Sequence, residues 1–84
     1  MARVKIFSTG ICPICENTKN LLTKWKIPYE EIRVDRSGEG LKEMREKTNG
    51  ARTVPQILID DKWIGGFTEL TELHMEGKLE ELLD

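Results

Sequence analysis

The chain has 84 residues, of which 38% are hydrophobic and 33% charged, with a net charge of -2. That is the composition of a folded chain and not of a disordered one, and the length fits a single domain over residues 1–84 with a modest core. The slightly acidic balance gives no basic surface for nucleic acid, and no apolar run reaches the ~20 residues that a membrane helix needs.

Along the chain, Arg3 to Ser8 alternate and are rich in Val, Ile and Phe, which predicts a strand. The opening M-A-R-V-K-I-F has no long apolar core and no cleavage site, so it does not read as a secretory leader, and the expected location is cytoplasmic. The segment S-T-G-I-C-P-I-C follows and holds both cysteines, Cys12 and Cys15. Ile14, Thr18, Leu21, Leu22 and Trp25 then recur at helical spacing to about Lys26, and Pro28 ends the helix or lies just past it.

Tyr29 to Val34 predict a second strand, and D-R-S-G-E-G a turn with a cap at Ser37. Leu41, Met44 and Thr48 mark one face of a second helix, closed by Asn49-Gly50. Gln56 to Ile59 and Trp63-Ile64 predict a hairpin about a tight D-D-K turn. Gly65-Gly66 breaks the chain before a helical region from about Thr68 to Leu83, interrupted at Gly77, with Leu70, Leu73, Leu79, Leu82 and Leu83 toward the core. The order is β-α-β-α-β-β-α. Its first βαβ unit makes strands one and two parallel with a right-handed crossover, and the hairpin adds an antiparallel pair. The expected fold is therefore α/β, a mixed four-stranded sheet with helices on both faces.

The two cysteines allow three roles. A zinc site needs four ligands, and this chain offers two cysteines and one distant histidine, His74, so no metal site is expected. A disulfide across so short a loop constrains the unfolded chain little. The third role is reactive. Cys12 opens a helix, where free N–H groups and the helix dipole stabilise a thiolate. Pro13 suits the first helical position, and Cys15 lies one turn further in, less exposed. Lowering a thiol's pKa raises its thiolate fraction but lowers its nucleophilicity, with a Brønsted slope of about 0.4–0.5. What remains is a good leaving group. Cys12 is thus expected to attack a substrate disulfide, and Cys15 or an external thiol to displace the product.

Three motifs occur in order: C-P-I-C, T-V-P at Thr53 to Pro55, and G-G-F-T-E-L from Gly65. Together they resemble the dithiol glutaredoxins of small bacterial type, over essentially the whole chain. The resemblance implies the thioredoxin-like fold and a thiol–disulfide oxidoreductase with Cys12 as nucleophile and Cys15 as resolving thiol. It implies glutathione as reductant and co-substrate, with no tightly bound cofactor, and disulfide-containing or glutathionylated proteins as the other partners. A monomer is expected. Ile14, Thr53, Val54, Pro55, Gly66, Phe67 and Thr68 would bind glutathione. Val54 would pair its backbone with the cysteinyl part, a cis Pro55 would aim that backbone at Cys12, and the turn at Gly66 to Thr68 would offer N–H groups to the γ-glutamyl carboxylate.

Thr9 and Ile14 stand where the family usually places a lysine and a tyrosine, and Thr68 where it places an acidic residue. These changes predict weaker glutathione binding, with Arg52, Lys24 or Lys42 as possible sources of positive charge. Two other readings stay open: an electron donor reduced by thioredoxin reductase, and a module in which two chains share an iron–sulfur cluster through Cys12 and glutathione. Trp25 and Trp63 are expected to pack against or shield the sheet, with bordering the site as the alternative for Trp63, which lies near the glycine turn. Phe67 is the better candidate to face substrate, and His74 is expected on the helix surface.

Overall fold

The computed structural model describes residues 3–83; Met1, Ala2 and Asp84 lie outside the described residues. The elements in chain order are β1 (Val4–Ser8), α1 (Pro13–Lys24), β2 (Tyr29–Arg33), α2 (Gly38–Lys47), β3 (Gln56–Ile59), β4 (Lys62–Gly65), α3 (Phe67–Met75) and α4 (Lys78–Leu83). They form one mixed sheet of order β2-β1-β3-β4. β1 pairs in parallel with β2, and β3 is antiparallel to both β1 and β4.

Local chemistry accounts for most of the boundaries. Ser37 caps α2, its hydroxyl accepting from the Gly40 N–H at 2.9 Å. α1 ends at Lys24, two residues before the sequence expectation, in a left-handed cap. Lys26 takes φ +60° there, and Ile27 N–H returns to the Leu22 carbonyl at 2.9 Å, the pattern of a Schellman motif. Asp60 and Asp61 both have positive φ, as a two-residue hairpin turn requires.

The alternation of β1 divides the core. Val4 and Ile6 join Leu22, Ile57, Ile59, Leu70 and Leu79 on the side of α1, α3 and α4. Phe7 packs with Met44 and Leu58 on the side of α2. Helices therefore cover both faces, as the pattern predicts. Leu82 departs from expectation. The break at Gly77 makes the last helix a separate six-residue piece, and it buries Leu79 while leaving Leu82 37% exposed.

One polar cluster ties α1 to the sheet. Buried Ser8 donates to Glu31 at 2.6 Å, and Lys19 bridges Glu31 and Glu16 at 2.8 and 2.7 Å. The Lys19 ammonium first, and the Ser8 hydroxyl second, hold the Glu31 carboxyl below its usual pKa. The stability this supplies is full above an unfolded glutamate's pKa of about 4.3 and is lost as pH falls through the lower folded value. Glu31→Gln should cost ~1 kcal/mol at pH 7. Its thermal midpoint should also fall less steeply than wild type between roughly pH 4.5 and 2.5. Parallel acid profiles for the two proteins would refute the assignment.

Candidate active site

Cys12 is the residue that caps α1. It holds extended backbone, φ -154°, and its Sγ accepts the Cys15 N–H at 3.1 Å. Pro13 takes the first helical position, where no N–H is needed. Cys15 is fully buried, whereas Cys12 is partly exposed. The two are joined as a disulfide with Cα atoms 5.2 Å apart, so the structure is that of the oxidised chain. The pair is near enough to open and close with little backbone movement.

The loop before Cys12 is tied to the end of β2. Gly10 N–H donates to Asp35 Oδ2 at 3.0 Å, and the Arg33 guanidinium grips the same carboxylate at 2.7 and 2.9 Å. That guanidinium, with the Gly10 N–H, holds the Asp35 carboxyl well below the usual carboxylate range. A Cβ at Gly10 would sit 2.2 Å from Arg33 Nη2, so a side chain there would push the guanidinium aside from its present place.

The sheet order then assembles the rest. β3 runs antiparallel to β1, with Gln56 opposite Phe7, so the chain entering β3 arrives beside the cysteines. The Val54–Pro55 peptide is cis, as the T-V-P segment predicts, and the Val54 carbonyl oxygen lies 4.0 Å from Cys12 Sγ. Beyond β4, Gly65 takes φ +125°, and the chain turns into α3. The Glu69 carboxylate folds back over this turn and accepts the Gly66 N–H at 2.6 Å.

Together these segments line a cleft of about 310 Å³. It collects all seven residues expected to bind glutathione: Ile14, Thr53, Val54, Pro55, Gly66, Phe67 and Thr68. Gln56, Trp63, Gly65 and Glu69 line it too. Gln56 directly follows the T-V-P segment, and Gly65 and Glu69 belong to the G-G-F-T-E-L motif but are not among the residues expected to bind glutathione. Trp63, 46% exposed, lies on the cleft wall, the alternative to sheet packing that its place near the glycine turn leaves open. Trp25 does pack against the core, stacked on His74 with ring centroids 3.9 Å apart, away from the cleft. Thr9, Lys24, Lys42 and Arg52 are not among the lining residues, so no cation lines the cleft among the described residues. No group of three or more metal-ligating side chains occurs among the described residues.

The arrangement is a cysteine pair, closed as a disulfide at a helix start, beside an open cleft. A glutaredoxin family model matches residues 4–64. A glutaredoxin of Neisseria meningitidis is 41% identical over the whole of this chain and 99% of its own length. Glutaredoxin 1 of Rickettsia prowazekii is 41% identical over 94% of this chain and 84% of its own. Among solved structures, the dithiolic glutaredoxin of Trypanosoma brucei brucei superposes with a TM-score of 0.84 at 34% identity, covering 99% of this chain and 88% of that one. A buckwheat glutaredoxin–glutathione complex superposes with a TM-score of 0.84 at 31% identity, covering 96% of this chain and 76% of that one.

Proposed function

This chain belongs to the glutaredoxin family and is a thiol–disulfide oxidoreductase, and on that premise we propose that glutathione recharges it and that the cleft beside Cys12 is where glutathione binds. The observation that carries the proposal is the approach of the Val54 backbone to Cys12 Sγ within a cleft that ends at the start of α3. An extended cysteinyl peptide fits such an edge as an added strand. The N–H groups of Phe67 and Thr68 suit a carboxylate at the helix start. The buckwheat complex supports the same reading.

The chemistry balances as two exchanges. The Cys12 thiolate attacks a substrate disulfide, forms a mixed disulfide and expels one substrate thiolate, which takes a proton. Cys15 loses its proton, attacks Cys12 Sγ, expels the second substrate thiol and leaves the Cys12–Cys15 disulfide. Two glutathione thiols then reduce that disulfide by the same exchange, giving glutathione disulfide and two protein thiols. A family potential of about -200 to -230 mV lies within reach of a glutathione pool. The cytoplasm is the compartment we assign, because the cycle needs that reducing pool. We also assign the work to one domain spanning 1–84 and to a monomer, since both exchanges use residues of a single chain.

A second reading, reduction by thioredoxin reductase, is favoured by one observation: the cleft has an indole on its wall and, among the described residues, no cation in its lining. Turnover of a disulfide substrate with each electron source separates the two. The proposal expects turnover with glutathione and glutathione reductase to exceed that with thioredoxin reductase by about tenfold or more; the reverse order would replace it.

A further inference from the structure

Three large apolar side chains are exposed around the reactive disulfide: Ile11 at 95%, Ile14 at 51% and Trp63 at 46%. Ile11 directly precedes Cys12, and Ile14 and Trp63 line the cleft. Trp63 is firmly held. Its Nε1–H donates to Gln56 Oε1 at 2.9 Å, and Gln56 Nε2 donates to the carbonyl and hydroxyl oxygens of Thr53 at 3.0 and 3.2 Å. Gln56 is buried, 6% exposed, and both ends of its amide are engaged. The polar edge of the indole is therefore sealed, and the cleft meets only its apolar surface.

The strand register puts the ring there. Leu58 pairs with Trp63, while the adjacent Ile57 pairs with Gly65, so the β3–β4 ladder slips by one residue. Pairing with Leu58 puts the Trp63 side chain on the same face of the sheet as Gln56, two residues earlier in β3, next to the segment that approaches Cys12. Among the described residues, Glu69 is the only ionisable side chain lining the cleft, and its carboxylate already takes the Gly66 N–H.

We propose that Trp63, positioned by Gln56, determines which protein disulfides this enzyme prefers: its ring receives a bulky apolar side chain next to the substrate cysteine that Cys12 attacks. An extended polypeptide paired along Val54 carries the side chains beside its cysteine into the cleft, about 3.3 Å of rise per residue. A leucine or phenylalanine there buries apolar surface against the indole and Ile14. Glutathione flanks its cysteine with charged ends and gains nothing from that wall. The proposal rests on the thiol–disulfide reading but not on glutathione as reductant.

The test uses protein reduced beforehand with dithiothreitol and freed of it, so no glutathione enters. Two peptide disulfides, identical but for Leu or Ser beside the attacked cysteine, are offered, and the second-order rates of single-turnover attack are compared. The wild-type Leu/Ser ratio should be about tenfold, equivalent to ~1.4 kcal/mol. Trp63→Ala should bring it within about twofold of unity, Trp63→Phe should restore most of it, and Gln56→Ala should give an intermediate value. A wild-type ratio near one, or a full ratio in Trp63→Ala, overturns the proposal. Should Trp63→Ala fail to fold, Trp63→His serves in its place with the same expectation. Failure of glutathione-coupled turnover with an intact ratio would remove glutathione as reductant and leave the proposal standing.

Discussion

Cys12→Ser should lower turnover of any disulfide substrate by at least about three orders of magnitude. The serine hydroxyl is not ionised near neutral pH and forms no disulfide, so neither exchange can begin. The fold should survive the change. Cys12 is the N-cap of α1, and its sulfur accepts the Cys15 N–H. Serine is among the best N-caps, so its hydroxyl can take that bond. The lost disulfide spans only three positions in sequence, a loop too short to constrain the unfolded chain much. The variant should therefore stay folded, with a thermal midpoint within a few degrees of the reduced wild type. Activity at even a tenth of wild type would remove Cys12 from the nucleophile's role. An unfolded variant would show instead that the disulfide is structural.

Cys15→Ser should divide the activities. Reduction of a protein disulfide needs an internal thiol to release the mixed disulfide, and it should fall by about a hundredfold or more. Removal of glutathione from a mixed disulfide needs Cys12 and an external thiol, and it should persist. The geometry supports this asymmetry. Cys15 is fully buried behind the partly exposed Cys12, so it meets the mixed disulfide from inside and does not compete for substrate. Burying a serine hydroxyl among apolar groups costs roughly 1–3 kcal/mol, so the variant should also melt earlier than reduced wild type. Assays of both substrates with both cysteine variants check this directly. If protein-disulfide reduction survives in Cys15→Ser, an external thiol resolves the intermediate and the buried cysteine is not the resolving group.

Much of this site is legible in the chain because its chemistry is local. The strand that ends at Ser8, the proline after Cys12 and the helical spacing from Ile14 place the pair at a helix start. T-V-P and G-G-F-T-E-L mark the other two walls, and the cleft collects their residues as expected. The misses are of another kind. Trp63 reads first as a packing residue, because an aromatic in a short strand usually is one, and its nearness to the glycine turn gives only the alternative of a site border. Its place on the cleft wall needs the β3–β4 pairing, which puts it on the face of Gln56, and the Gln56 amide that holds its indole. Leu82 reads as core by its leucine spacing. A helix of six residues after a break has a narrow buried face, and Leu79 occupies it. The cleft lining shows the same limit: Lys24, Lys42 and Arg52 are visible in the sequence, but whether they line the cleft is not.

By itself, then, the sequence determined the element order, the parallel first pair of strands, the caps and turns, and the identity of the reactive sulfur pair. These follow from side-chain periodicity, φ preferences and helix-end electrostatics, which act over a few residues. Tertiary structure alone decided that β3 lies beside β1, so that Val54 meets Cys12 across 42 positions of sequence. It also decided that an indole and not a cation walls the cleft. Both depend on how the sheet's two faces bury their apolar side chains together, a balance summed over the whole core and carried by no short segment of the chain.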